Sequence, residues 1–136
     1  MTTRLYIYTD GGSRGNPGNA GIGILILDEE RKTLKVYKEY IGRATNNQAE
    51  YTALIRALEF ASDISRGEIH CTLDSELVVR QLNGMYDVRD KSLKVLHDRL
   101  SELEKRFVKV TFRHVKRDDF FIQRVDAMVN EALDEI

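Results

Sequence analysis

The sequence predicts an α/β fold: a five-stranded mixed sheet, three antiparallel strands followed by two parallel ones, with helices on both faces. Three observations predict it. Residues 5–41 hold three β-prone runs joined by short polar or glycine-rich links, as in an antiparallel meander. From Thr45 onward the apolar period lengthens from that of a strand to that of a helix. The remainder alternates strand-like with helix-like segments, the order that gives parallel pairing. At 136 residues, 42% hydrophobic and 32% charged, the chain is expected to be one domain, residues 1–136, with its own core.

Leu5, Tyr6, Ile7 and Tyr8 suit a strand buried on both faces, and Asp10 stands where that strand is expected to stop, before a turn on Gly11 and Gly12. A carboxylate ending a buried strand needs a partner such as a cation. Turn chemistry alone favours the plainer reading, an Asp that opens a β-turn. Gly11 to Asn19, GGSRGNPGN, reads as a loop and holds the only proline, Pro17. It looks superficially like a phosphate-binding glycine loop, but such a loop must open a helix, and Ala20 to Asp28 reads as a second strand. Asp28 to Lys32 is a polar connection, and Thr33 to Ile41 is the third strand.

A helix is expected from Asn46 or Asn47, either of which can cap it, to before Gly67, with Leu54, Ala57, Leu58 and Ala61 on one face. Glu50 falls in its first turn, where the helix dipole alone would account for an acid. Glu68 to Asp74 repeats the opening pattern, a short β-prone run closing on an acid. Ser75 begins a short helix that Asn83 and Gly84 end. Leu93, Leu96, Leu100, Leu103 and Phe107 form a helical stripe. Val108 to Val115 is the fifth strand, with Val108, Val110, Phe112 and His114 on one face; His114 reads as a core or edge histidine, and His70 and His97 carry no functional reading. Lys116 to Phe121 is a loop, and Gln123 to Ile136 a last helix with Asp126 in its first turn.

The longest apolar run, Gly21 to Leu27, is too short to span a bilayer, and Arg4 and Asp10 interrupt the N-terminus where a signal peptide needs its apolar core. The chain is therefore read as cytoplasmic. Cys71 is the only cysteine, which excludes an internal disulfide and a cysteine zinc site and makes it a small core residue. A net charge of −1 argues against a strongly basic nucleic-acid binder, and setting four carboxylates aside in a metal site leaves only +3. Any grip on nucleic acid should be modest and salt-sensitive.

Four acids then stand out: Asp10 and Asp74 at strand ends, Glu50 and Asp126 in first turns of helices. If the first and fourth strands are parallel neighbours, Asp10 and Asp74 face each other across roughly 5 Å, which is costly without a cation between them. Hard divalent ions suit such a site. Two of them make the clamp for in-line attack on a phosphodiester, with no nucleophilic side chain required.

At this point the chain resembles the type 1 ribonucleases H. The resemblance rests on YTDGG at Tyr8 to Gly12, with Asn16, Pro17, Gly18 and Gly21 to Gly23; on TNNQAEY at Thr45 to Tyr51; on LDSELVVRQ at Leu73 to Gln81, with Leu82 to Gly84; and on DAMVNEALD at Asp126 to Asp134. It implies an endonuclease that cuts the RNA strand of an RNA/DNA hybrid, leaving 5′-phosphate and 3′-hydroxyl ends, and working with two Mg²⁺ or Mn²⁺ ions held by Asp10, Glu50, Asp74 and Asp126. It also implies that Gly11 offers close backbone approach, that Asn46 and Asn47 reach minor-groove edges and sugars, and that Thr45 and Asn16 hold a phosphate of the DNA strand. Glu76 stands where several members place a glutamine facing the minor groove. No obligate protein partner is implied, and the protein is expected as a monomer. Arg14 and Arg43 are further candidates for phosphate contact, with surface solvation as the plainer reading of both.

Three departures mark this chain within that resemblance. Met85 to Asp90 is short where bacterial members carry a basic, tryptophan-bearing protrusion, so weaker substrate affinity is expected. Glu76 can accept but not donate. Where some members use a loop histidine for product release, Arg117 or Asp118 stands here, and Asp118 and Asp119 compete with Asp126 for the place of the fourth acid. Asp126 is preferred because Asn130, Glu131, Ala132 and Leu133 follow it in the family's register. Two other readings remain: a nuclease of this fold preferring double-stranded RNA or junctions, and a non-catalytic hybrid-binding module.

Overall fold

The computed structural model describes residues 4–136. Its elements run β1 (Arg4–Gly15), β2 (Gly18–Leu27), β3 (Thr33–Ala44), α1 (Asn46–Ser62), β4 (Glu68–Leu73), α2 (Glu76–Leu82), α3 (Lys91–Glu104), β5 (Lys109–His114) and α4 (Phe120–Asp134). The five strands form one sheet in the order β3-β2-β1-β4-β5. The first three are antiparallel, while β4 pairs parallel to β1 and β5 parallel to β4. This is the architecture the sequence predicts.

Two apolar layers hold it. On one face Leu5, Ile7, Ile22, Ile24 and Ile69 meet Leu54, Leu58, Leu100 and Leu103 of α1 and α3. On the other, Tyr8, Leu25 and Leu27 meet Ile122, Val125 and Met128 of α4. β1 and β2 are covered on both sides, which explains why their apolar runs are continuous rather than alternating. Cys71 is a buried core residue, 1% exposed.

Several boundaries differ from the sequence reading, each for a tertiary reason. β1 does not stop at Asp10, and the glycine-rich stretch is not a loop. Gly11 to Gly15 continue the strand and pair with Ile22 to Gly18, so GGSRGNPGN is the end of a hairpin turned at Asn16 and Pro17, which are joined by a cis peptide bond. The glycines serve close packing: a Cβ on Gly11 would lie 2.3 Å from the carbonyl carbon of Ala49, and one on Gly23 would lie 2.5 Å from the carbonyl oxygen of Val125. α1 is capped by Thr45, not by Asn46 or Asn47: the Thr45 hydroxyl accepts from Gln48 N at 3.1 Å, and the Gln48 side chain accepts from Thr45 N at 2.9 Å. α4 begins at Phe120, because Asp119 accepts from the N–H groups of Phe121 and Ile122 and so caps it. Val108 precedes β5 and is 82% exposed, outside the apolar face expected of it.

Candidate active site

The site lies where β1 and β4 part. Their parallel ladder ends at Tyr8 and Thr72; β4 stops at Leu73 and Ser75 caps α2, while β1 runs on with β2 alone. Asp10 and Asp74, each two residues beyond that last pair, flank the opening. α1 enters it from the side: its close approach to Gly11 brings Glu50 against β1, where the N–H of Gly11 donates to Glu50 Oε1 at 2.6 Å. Ligand oxygens of Asp10, Glu50 and Asp74 all lie within 4.8 Å of one another. Asp126, on α4, lines the same cavity, about 270 Å³ in volume, with Asn46, Asn47, Ser75, Arg117 and Asn130.

Two of the expected placements change. Glu50 is past the first turn of α1 and only 5% exposed, so the helix dipole does not account for it. Asp126 stands in the second turn of α4, since that helix begins earlier than its periodicity suggests. Asp119 is occupied as the α4 cap, and neither it nor Asp118 lines the cavity.

Electrostatics make this cluster unfavourable by itself. Burial pushes the Asp10 carboxyl up from 3.8 to about 7, with the charge of Asp74 adding to the effect and an interaction with Glu50 partly offsetting it. Burial, followed by the charge of Asp10, also raises Glu50 well above the usual carboxylate range, against the Gly11 hydrogen bond. A hard divalent cation relieves this crowding, and an all-oxygen donor set of three acids is what such an ion takes. Arg117 is the one cation paired directly with the trio among the described residues, its Nε 3.3 Å from Asp74 Oδ2.

The other expected contacts divide. Gly11, Asn46 and Asn47 line the cavity; Asn16, Thr45 and Glu76 do not. The oxygen of Asn46 accepts from Ser13 N at 2.9 Å, and Asn46 N donates to the oxygen of Asn16 at 3.0 Å. These bonds tie the β1–β2 hairpin to the start of α1 and leave the amide NH₂ of each asparagine as the group available to a ligand. Thr45 is a helix cap, and Glu76 pairs with Arg80 at 2.8 Å. Arg14 pairs with Asp134 at 2.7 Å at the cavity rim, whereas Arg43 is an exposed residue outside it. His114 is exposed on the edge strand β5. Ser13, Ser75 and Asn130 also line the cavity; the sequence marks Ser75 as a helix start and Asn130 as part of the last motif, but assigns none of the three a place in the site.

Comparison with known proteins adds an independent line. Residues 8–132 match a family model described as reverse transcriptase-like. The chain is 43% identical over 132 residues to ribonuclease HI of Halobacterium salinarum, covering 97% of this chain and 65% of that protein. The crystal structure of RNase H1 from the same archaeon superimposes with a TM-score of 0.92 over 98% of this chain and 99% of that one. The structure of LC11-RNase H1 in complex with an RNA/DNA hybrid is 43% identical, with a TM-score of 0.90 over 96% of this chain and 97% of its own. The chain thus spans about two thirds of the curated halobacterial relative, and 36% of a mycobacterial relative described as a bifunctional protein.

Proposed function

Since the chain belongs to the ribonuclease H family, we propose that it is an endonuclease that hydrolyses the RNA strand of RNA/DNA hybrids, leaving 5′-phosphate and 3′-hydroxyl ends. The observation that carries this reading is the convergence of Asp10, Glu50 and Asp74 within 4.8 Å in a cleft that Asp126 also lines. Support for the substrate comes from the hybrid bound to LC11-RNase H1.

In this reading Asp10, Glu50 and Asp74, with Asp126 from the facing helix, would hold two Mg²⁺ or Mn²⁺ ions. Such ions supply an activated water and stabilise the leaving oxygen of an in-line displacement. The chain's own residues do the rest. Gly11 N–H donates to the Glu50 carboxylate and so orients it in the cleft. The NH₂ groups of Asn46 and Asn16, whose oxygens are already occupied, can donate to minor-groove acceptors, sugar oxygens or phosphate, with Asn47 beside them. A ribose 2′-hydroxyl within reach of such donors and of Glu50 distinguishes RNA from DNA. Arg117 holds Asp74 while no other cation does. We read residues 1–136 as one such domain, acting as a cytoplasmic monomer; the buried lone thiol of Cys71 suits a reducing compartment.

The test is a labelled hybrid incubated with the purified chain in Mg²⁺ and in Mn²⁺, beside double-stranded RNA, RNA–DNA junctions and branched DNA. Cutting of the RNA strand of the hybrid, lost in Asp10→Asn, is the expected result. No cutting in either metal, or tight hybrid binding without turnover, would overturn the proposal.

A further inference from the structure

The sheet face that carries Asp10 and Asp74 continues behind them into a second recess. The alternate residues on that face are Tyr6 and Tyr8 of β1, His70 and Thr72 of β4, and Thr111 and Arg113 of β5, paired across the ladder as Tyr6–His70–Thr111 and Tyr8–Thr72–Arg113. Phe121 of α4 packs on Tyr8, ring centroids 4.8 Å apart, and no residue of α4 lines the recess beyond it. What it leaves open is a recess of about 140 Å³.

Its chemistry is one-sided. Arg31 and Arg113 both line it, and no carboxylate does. Among the described residues Arg113 has no ion-pair partner. Arg31 lies over the Tyr6 ring at 4.4 Å and donates to the Tyr8 hydroxyl at 3.3 Å, contacts that orient the guanidinium without neutralising it. Arg31 also adopts φ 66 in the turn between β2 and β3, a conformation that turn chemistry gives to Gly or Asn. Its side chain is thus carried by a backbone that costs energy to place. Thr72, 5% exposed, lines the recess, and the Thr111 hydroxyl beside it is bound to His70 Nδ1 at 2.8 Å. The remaining charges near His70 are Arg4, Glu68 and Lys109, and Arg4 and Glu68 pair with each other at 3.0 Å.

We propose that this recess is a phosphate-binding site, in which the guanidinium groups of Arg31 and Arg113 and the hydroxyl of Thr72 take the oxygens of one phosphate. Two planar forks and a hydroxyl match a tetrahedral oxyanion better than a carboxylate, and two uncompensated cations match its charge. The phosphate is either a free ion or one link of a nucleic-acid strand running along the sheet. The site is separate from the carboxylate cleft and does not depend on the activity proposed above.

The experiment is NMR of the full isotope-labelled chain, following the His70 ring and the Arg Nε–H signals. Inorganic phosphate is titrated first, then a short single-stranded oligonucleotide, each against chloride at equal ionic strength. A saturable shift at His70 and the arginine signals is expected, weakened at least tenfold in Arg113→Gln and Thr72→Val and less than tenfold in Arg113→Lys, which keeps the charge but loses the fork. If the oligonucleotide binds more tightly than phosphate through the same residues, the natural ligand is a strand; if phosphate binds as well, it is the free ion. No saturable shift with either probe, or one that Arg113→Gln and Arg31→Gln leave unchanged while their spectra remain folded, would overturn the proposal.

Discussion

The two halves of β1 are one strand with two occupations. From Tyr6 to Tyr8 it lies between β2 and β4, and the side chains of Leu5, Ile7 and Tyr8 are core. From Asp10 to Gly15 it keeps β2 but loses β4, and the vacated side becomes the carboxylate cleft. The first half is stabilised by what surrounds it, whereas the second is destabilised by its own charges, with Asp10 buried at 8% exposure beside two other acids. A strand that changes neighbours halfway thus supplies both the rigid support and the group it positions. Function is located at the point where regular pairing ends.

Substitutions can test this contrast. The largest expected effect is Asp10→Asn, which should lower hybrid cleavage on the order of a thousandfold by removing the central ligand. The same change should raise the thermal midpoint of the metal-free protein at pH 8, since it removes a buried charge. A variant that cuts poorly because it is unfolded would contradict the comparison. Ile7→Ala, three residues earlier and fully buried, should do the opposite: a loss of roughly 2 to 5 kcal/mol in denaturant unfolding, with the folded fraction still cutting.

The pH dependence of stability sharpens the point. Folded Asp10 keeps its proton up to about 7, against 3.8 ordinarily, so the folded state binds more protons than the unfolded chain between those values. Metal-free stability should therefore fall as pH rises from about 4 through about 7 and level off above, by on the order of 2 to 4 kcal/mol. Glu50 acts in the same direction. Added Mg²⁺ or Mn²⁺ should restore more stability at pH 8 than at pH 5, read as melting curves with and without chelator.

The glycine pair separates packing from freedom of space. A Cβ at position 11 would meet the α1 backbone at 2.3 to 2.6 Å, so Gly11→Ala should displace Glu50 and cost roughly 1 to 3 kcal/mol along with activity. At position 12 the nearest atoms are side chains at 3.6 and 3.7 Å, so Gly12→Ala should change stability by less than about 1 kcal/mol. Thr45→Ala should cost about 1 kcal/mol in denaturant unfolding for the lost cap.

Much of this was legible in the residues. The apolar runs and the change of period at Thr45 determined the element order, because burial of one face imposes its period on the sequence. Asn83 and Gly84 marked the end of α2, and Gly84 adopts φ 77 there. The four acids were visible as acids in a repeated setting, and the family motifs gathered them. Other features had no local signal. GGSRGNPGN is rich in turn formers, yet it forms a ladder because β2 offers backbone partners and α1 needs the missing Cβ of Gly11. Asp126 moved to the second turn because Asp119, an ordinary loop acid by sequence, caps α4.

The sequence by itself determined the order of strands and helices and which carboxylates they carry, since periodicity and motif are local properties of the chain. Only the tertiary structure decided that Glu50 is pinned by Gly11, that Arg117 reaches Asp74, and that Arg31 and Arg113 share a recess. Each of those contacts joins residues far apart in sequence, and it arises where one ladder stops and another continues, a boundary set by packing rather than by any single stretch of residues.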